Sequence, residues 1–239
     1  MRRLLILPDA QALAAAAAEE FARAAESSSG AFRVALSGGR TPRALYTLLA
    51  DEKGPYRARV PWERLHFFFS DERCVGPDNA DSNFLMASET LLSRVPVAPG
   101  SIHGINGELH PEEAAGLYEE ALLIEFGFPP RFDWLFLGMG ADGHTASLFP
   151  GTPAVVEESK LATAVRFADK RTPRVTLTLP VLNAAKKVAF LVSGLDKAAA
   201  AQLVLEDKPS PARPASLVAP ARGELLWFLD KAAASLLAR

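Results

Sequence analysis

The chain has 239 residues, of which 49% are hydrophobic and 23% are charged, and its formal net charge at pH 7 is −2. A chain of this length and composition can bury a sizeable core, which excludes intrinsic disorder. Because 26 basic residues face 28 acidic ones, no global positive field attracts nucleic acid, and an anionic ligand requires a local cationic cluster.

The apolar runs and the cysteine content also limit the class of protein. Charges or prolines interrupt every apolar run before membrane-spanning length, and the opening sequence MRRLLILPDA is too short in apolar residues for a secretory signal. The sequence therefore predicts a cytoplasmic protein without a membrane partner. Cys74 is the only cysteine, which excludes an intrachain disulfide and a thiolate metal cluster.

Short apolar runs alternate with amphipathic segments, which is typical of a Rossmann-like α/β fold with a mostly parallel sheet and helices on both faces. We expect a single domain over residues 1–239, with room for a small lobe. In the first half, strands are predicted at residues 3–7, 32–36 and 65–69. Thr41 is predicted to cap the second helix, with Pro42 at its first position.

In the second half, Pro111 with two following glutamates predicts the start of a helix. Periodicity then predicts strands at residues 132–137, 175–179, 188–192 and 225–229. It predicts helices at residues 196–205 and 231–237. Three prolines in residues 208–214 predict an ordered surface loop.

Ligands of open α/β sheets bind beyond the carboxyl ends of the strands, and the loop after the second strand suits an anion. Ser37, Gly38, Gly39 and Arg40 precede a helix, so closely approaching backbone amides and the positive helix end could hold a phosphate. A tight turn without a ligand is an equally good interpretation. The loop has no lysine where a Walker motif requires one, which disfavours nucleoside triphosphates.

The loop after the third strand carries three adjacent charges, Asp71, Glu72 and Arg73. Their position directly after an apolar strand favours a shared cleft, where the arginine could bind a phosphate or carboxylate through two hydrogen bonds. The alternative is a solvated surface ion pair of little energetic weight. Cys74 is predicted to be a small buried side chain rather than a nucleophile.

The loop at residues 137–153 contains glycines that formally match a dinucleotide fingerprint. Two prolines leave no room for the long helix that this motif needs, and Asp142 would repel a pyrophosphate. We therefore expect no nucleotide cofactor. The glycines instead present Asp142 and His144 at the sheet edge, where an imidazole can act as a general base at neutral pH.

The other histidines, His66, His103 and His110, lack such a setting and are predicted to serve structure. The chain contains neither a His-x-x-x-His motif nor a Gly-x-Ser-x-Gly motif, so zinc hydrolysis and a serine nucleophile are unsupported and we expect no catalytic metal.

The segments SGGRTP, SDERCVGPDNADSN, GMGADGHTASLFPGTP and RVTLTLPVLNAAKKVAFLVSGLDKA, with the late PASLV, occur in order over residues 36–218. Together they resemble the 6-phosphogluconolactonases of the oxidative pentose phosphate pathway. The resemblance implies a Rossmann-like α/β fold and metal-independent hydrolysis of 6-phospho-D-glucono-1,5-lactone to 6-phosphogluconate.

Glucosamine-6-phosphate deaminases look similar around the Asp-Gly-His segment and are the nearest alternative. They follow the histidine with an asparagine-glutamate-proline run, whereas this chain reads Ser147-Leu148-Phe149-Pro150 without a carboxylate. A non-catalytic sugar-phosphate sensor is a second alternative, but the chain has no helix-turn-helix segment and no basic face. Both comparisons favour the lactonase.

The lactonase hypothesis assigns roles to particular residues. His144 removes a proton from the attacking water and returns it to the ring oxygen, while either Asp142 or Asp71 orients the imidazole. Amides near Gly140 or Gly143, or an arginine, stabilise the oxyanion. The substrate phosphate is expected to contact a set of residues drawn from several loops, namely Ser37, Gly38, Gly39, Arg40, Arg73, Arg171, Arg174 and Lys197.

Overall fold

The structure is a computed structural model that describes residues 1–98 and 100–238. Its strands are β1 (Arg2–Leu7), β2 (Phe32–Leu36), β3 (Leu65–Phe69), β4 (Asp71–Arg73), β5 (Trp134–Leu137), β6 (Ala162–Val165), β7 (Arg174–Leu177), β8 (Lys187–Val192) and β9 (Glu224–Asp230). Its α-helices are α1 (Ala10–Glu26), α2 (Arg40–Ala50), α3 (Asn83–Ala87), α4 (Pro111–Phe126), α5 (Leu179–Ala184) and α6 (Ala198–Glu206).

The main sheet has the strand order β1-β9-β8-β5-β2-β3, and its strands are parallel. All four residues of β5 are buried, because the sheet centre is covered on both faces, as in other parallel sheets. Phe21 of α1 packs on Trp134 and Phe136 of β5, with ring centroids 5.6 and 5.2 Å apart. The predicted α/β fold class is confirmed.

A second, antiparallel sheet has the order β4-β7-β6. The strand predicted at residues 175–179 therefore exists as β7, but it lies in this small sheet rather than in the parallel one. Neither β4 nor β6 was predicted, because β4 consists of three charged residues and β6, with the sequence ATAV, has no run of large apolar side chains.

The local structure differs from the predictions at three other places. Residues 231–237 form turns rather than a helix, and the Asp230 carboxylate accepts the Ala233 N–H at the first of these turns. Helix α5 was missed. Helix α2 begins at Arg40 with Gly39, not Thr41, as its N-cap, since Gly39 adopts a φ of 108° that favours glycine.

Three adjacent strands, β8, β5 and β2, end at the same edge of the main sheet. Ser193, Gly138 and Ser37 directly follow them. From β2 the chain continues to β3 on one side, whereas from β5 it continues to β8 on the other, so this edge is a topological switch point where ligands bind. None of the helices within the described residues is long and apolar enough to cross a membrane.

Candidate active site

A cavity of about 620 Å³ opens at this edge of the sheet, within the size range of small-molecule sites. Its lining combines the three loops that the sequence analysis singled out. The residues that were predicted for the site and line the cavity are Ser37, Gly38, Gly39, Arg40, Asp71, Arg73, Gly140, His144 and Lys197.

The imidazole of His144 is held by Asp142. Asp142 Oδ1 lies 2.6 Å from His144 Nδ1 and also accepts the His144 backbone N–H at 3.1 Å. One face of the imidazole packs on Phe149, with ring centroids 4.1 Å apart. Nε2 is therefore the nitrogen left for a ligand in the cavity, and Asp142 rather than Asp71 contacts the ring.

The environment of Asp142 favours its ionised form. Burial opposes ionisation of this carboxyl group, but the His144 backbone N–H and the imidazole charge outweigh burial and lower the pKa of Asp142 below its ordinary value. An ionised carboxylate at this position stabilises a protonated imidazole.

Two glycines shape the loop that carries this pair. The Gly140 N–H donates to the His144 carbonyl at 2.9 Å, and the Gly143 N–H donates to the Gly140 carbonyl at 3.0 Å. Both amides are thus engaged within the loop, so an oxyanion requires donors other than these. Gly143 has a φ of 79°, and a Cβ at this position would lie 3.2 Å from Arg213 Cβ. Gly143 is outside the described lining of the cavity.

Asp71 lies in the cavity wall as a fixed acceptor. Its Oδ2 accepts the Ser147 hydroxyl at 2.6 Å, and its Oδ1 lies 3.3 Å from Asn83 Nδ2. The Ser147 N–H in turn donates to Thr176 on β7. Sequence reasoning missed Asn83. A Cβ on Gly38 would lie 1.9 Å from Asn83 Oδ1, which explains why glycine occupies position 38.

The predicted cationic residues fall into two groups. Arg40, Arg73 and Lys197 line the cavity, whereas Arg171 and Arg174 lie outside its described lining. The Arg171 guanidinium stacks on Phe167, 4.0 Å from the ring centroid.

Arg174 is opposite Arg73 in the antiparallel β4–β7 pair. Burial, and then the charge of Arg73, lower the pKa of Arg174. Its Nε is buried without a hydrogen-bond partner among the described residues. Arg174 therefore adds positive charge next to Arg73, on the neighbouring strand, without contributing to the described lining of the cavity.

Glu72 points away from the cavity and organises the backbone of the same loop. Its carboxylate accepts the N–H groups of Arg73, Asn83 and Phe84 at 2.7, 2.8 and 2.7 Å. Burial outweighs these bonds and raises the pKa of Glu72. Of the three charged residues, Asp71 and Arg73 thus line the cavity, whereas Glu72 is buried and accepts backbone hydrogen bonds.

The loop before α2 presents a helix N-terminus to the cavity. The Tyr46 hydroxyl accepts the Ser37 N–H at 2.9 Å and donates to the Ser37 carbonyl at 3.0 Å, which holds the start of the loop. Arg40 and Thr41, the first residues of α2, line the cavity. Free N–H groups and the helix dipole at such an end favour an anion.

Asp230, at the carboxyl end of β9, fixes the loop after β8. Its carboxylate accepts the Ser193 hydroxyl at 2.5 Å and the N–H groups of Gly194 and Ala233 at 3.1 and 2.7 Å. Burial opposes ionisation, but these donors outweigh it and lower the pKa of Asp230. Lys197, three residues after Gly194, lies in the cavity lining as a result.

We expect Asp230→Asn to reduce the free energy of unfolding by about 1 to 3 kcal/mol at neutral pH, because an amide cannot accept all of these bonds. The pKa of Asp230 is lower in the folded state, so its stabilisation is complete above the unfolded pKa, near 4, and is lost as pH falls through the folded pKa. The free energies of unfolding of Asp230→Asn and wild type should therefore converge as the pH falls from 7 to 3. Urea unfolding at several pH values in this range measures both.

The exposed Asp78 provides a matched control. Asp78→Asn is expected to change the free energy of unfolding by no more than about 0.5 kcal/mol. An Asp230→Asn deficit that stays constant down to pH 3 would contradict the assignment of the effect to the ionised carboxylate.

Comparison with known proteins extends these observations. The family described as glucosamine-6-phosphate isomerases/6-phosphogluconolactonase matches residues 8–227. The 6-phosphogluconolactonase of Synechocystis sp. is 42% identical over 206 residues, covering 84% of this chain and 82% of that protein. The structure of 6-phosphogluconolactonase from Thermotoga maritima superposes with a TM-score of 0.83 at 33% identity, over 97% of this chain and 100% of that one.

A monomeric glucosamine-6-phosphate deaminase also shares the fold, with a TM-score of 0.83 at 21% identity over 98% of this chain and 99% of that one. That likeness concerns the fold alone, whereas the family match spans most of the sequence. The chain therefore belongs to the glucosamine-6-phosphate isomerase/6-phosphogluconolactonase family.

Proposed function

We propose that this protein hydrolyses 6-phospho-D-glucono-1,5-lactone to 6-phospho-D-gluconate, in the oxidative pentose phosphate pathway and in the cytoplasm. The observation that carries the proposal is an aspartate-oriented imidazole, His144, in the same cavity as a helix N-terminus and three cationic side chains. The activity named for the relatives from Synechocystis and Thermotoga maritima supports it.

In this scheme His144 Nε2 takes a proton from a water molecule as the water oxygen bonds to the lactone carbonyl carbon. The ionised Asp142 stabilises the imidazolium that forms. The tetrahedral intermediate then expels the ring oxygen, which receives the same proton back from Nε2. The ring opens to the carboxylic acid, and the imidazole is restored without any group beyond water and side chains.

The remaining polar groups of the cavity act on the substrate. Arg73 is the proposed donor to the developing oxyanion, because the amides of Gly140 and Gly143 are already engaged. Asp71, held by Ser147, accepts a hydrogen bond from a sugar hydroxyl. The N-terminus of α2, with Arg40 and Lys197, binds the phosphate.

We expect Lys197→Ala to raise KM about tenfold or more with kcat within about threefold of wild type, since the phosphate is remote from the reacting carbon and is bound equally in ground and transition states. Steady-state kinetics on freshly prepared lactone measure both constants. Lys208, exposed beyond the other end of α6, provides the control, and Lys208→Ala should leave both constants unchanged. A wild-type KM for Lys197→Ala would remove this residue from the phosphate site.

The function is tested by comparing two substrates. Purified protein is given 6-phospho-D-glucono-1,5-lactone, with spontaneous hydrolysis subtracted, and separately glucosamine 6-phosphate, with ammonia measured. We expect turnover of the lactone only. Ammonia release at a comparable rate would assign the chain to the deaminase branch, and binding of either compound without turnover would indicate a sensor.

A further inference from the structure

A second cluster of chemically active side chains lies at the opposite end of the main sheet from the cavity. His66, near the amino end of β3, converges with His103 and with Glu125 in the last turn of α4. His66 Nδ1 is 3.4 Å from His103 Nε2 and 3.2 Å from Glu125 Oε1. One candidate ligand atom from each of the three residues lies within 4.8 Å of the others.

The two imidazoles bring one nitrogen of each ring close together. Their planes differ by 11° and their centroids are 5.7 Å apart, so with nitrogens 3.4 Å apart the rings meet edge to edge and share nearly one plane. The two nitrogens face each other directly, as in an N–H···N hydrogen bond. An ion about 2.0 Å from both would lie about 1 Å to the side of the line between them, so each ring must turn by roughly 30° to bind it. His103 is held in this orientation by Phe68, which stacks on it with centroids 4.3 Å apart.

The separations of 3.4 and 3.2 Å match those between neighbouring ligands of a tetrahedral zinc ion, and the third pair of ligand atoms lies within 4.8 Å. Zinc bonds to histidine nitrogen and carboxylate oxygen measure about 2.0 to 2.2 Å, which places neighbouring ligand atoms about 3.3 to 3.5 Å apart. Two neutral imidazoles and one carboxylate are also a ligand set that zinc adopts, with water in the fourth position.

We propose that His66 Nδ1, His103 Nε2 and the Glu125 carboxylate bind one divalent metal ion of the zinc class. This site is separate from the proposed catalytic cavity and does not depend on the proposed reaction.

Arg33 limits how tightly this site can bind. Its Nε donates to Glu125 Oε1 at 2.8 Å, and its positive charge opposes a cation nearby. A carboxylate has about four lone-pair sites, so Glu125 can accept from Arg33 and still bind a metal. We therefore expect micromolar affinity for zinc rather than the far tighter binding of structural zinc fingers.

The ligands belong to three different segments, and this gives the metal a structural effect. It would join β3, the segment before α4 that contains His103, and the end of α4 itself. An ion that binds only the folded chain stabilises it by mass action. At a zinc concentration about a hundred times Kd, the melting temperature is expected to rise by roughly 5 to 10 °C.

The test uses the full chain, treated with EDTA and then desalted, and zinc chloride as the only ligand. Isothermal titration calorimetry should give one zinc ion per chain with micromolar Kd, and His66→Gln or His103→Gln should weaken binding at least about tenfold. His110→Gln is the matched control, because His110 also pairs with a glutamate, Glu112, at 2.9 Å. His144→Gln controls for binding in the cavity. Both controls should retain wild-type affinity.

The imidazole NMR resonances of the wild type provide a second measurement that does not depend on variants folding. Zinc should shift the resonances of His66 and His103 and leave those of His110 and His144 in place. Wild-type affinity in His66→Gln, loss of binding in His144→Gln, or millimolar affinity in the wild type would each overturn the metal site and leave a hydrogen-bonded His103–His66–Glu125 chain.

Discussion

His144→Ala is expected to lower kcat for lactone hydrolysis by about 10²- to 10⁴-fold, which is the usual contribution of a general base. The methyl group can neither take the proton of the attacking water nor return it to the ring oxygen. KM should change by less than about threefold, because the phosphate contacts at Arg40 and Lys197 remain in place. Steady-state kinetics on the lactone separate the two constants.

Asp142→Asn and His110→Ala complete this experiment. Asp142→Asn retains a side chain beside Nδ1 but cannot stabilise the imidazolium by charge, so kcat should fall while KM stays near the wild-type value. His110 pairs with a glutamate on the surface, and His110→Ala should have wild-type kinetics. An active His144→Ala enzyme would contradict the proposed mechanism at its central step.

Gly140→Ala is expected to reduce kcat by about 10²-fold through geometry alone, the cost typical of misplacing a catalytic group by about 1 Å. A Cβ at this position would lie 2.1 Å from His144 Nδ1 and 2.5 Å from Asp142 Oδ1. Since real Cβ atoms do not approach other atoms so closely, the imidazole and the carboxylate must both move. The catalytic pair is lost although neither of its residues has been replaced.

The control is a glycine-to-alanine substitution at a position where the added methyl group contacts no other atom. A Cβ at Gly116, inside α4, meets no atom within 4 Å, and Gly116→Ala should keep wild-type kcat while stabilising the helix by about 0.5 to 1 kcal/mol. Thermal unfolding of Gly140→Ala distinguishes local displacement from global unfolding. A folded Gly140→Ala enzyme with wild-type kcat would show that the Asp142–His144 geometry is unimportant for turnover.

The roles of the two candidate aspartates illustrate what sequence reasoning could not resolve. Asp142 is two residues from His144, and a contact over that distance depends only on the loop. Asp71 is 76 residues from the Ser147 hydroxyl that fixes it, and the pairing of β4 with β7 brings these segments together. Because β4 has only three residues, no periodic pattern could reveal this small sheet.

The sequence could also not decide which of the predicted cationic residues line the cavity. Arg73 and Arg174 are equivalent as predicted phosphate ligands, yet only Arg73 is in the described lining of the cavity. Strand register places Arg174 opposite Arg73 on the neighbouring strand β7.

By itself, the sequence determined the layered α/β fold, the parallel strands of the main sheet, the loops that follow them and the position of His144 at the sheet edge, but it left open whether Asp142 or Asp71 orients the imidazole. These features depend on apolar periodicity, on glycine and proline positions and on contacts between near neighbours in the chain. Tertiary structure alone decided that Asn83 fills the space beside Gly38, that Asp230 sets the loop before Lys197, and that His66, His103 and Glu125 converge. Each of these contacts joins segments far apart in sequence, so the packing of the whole sheet determines it.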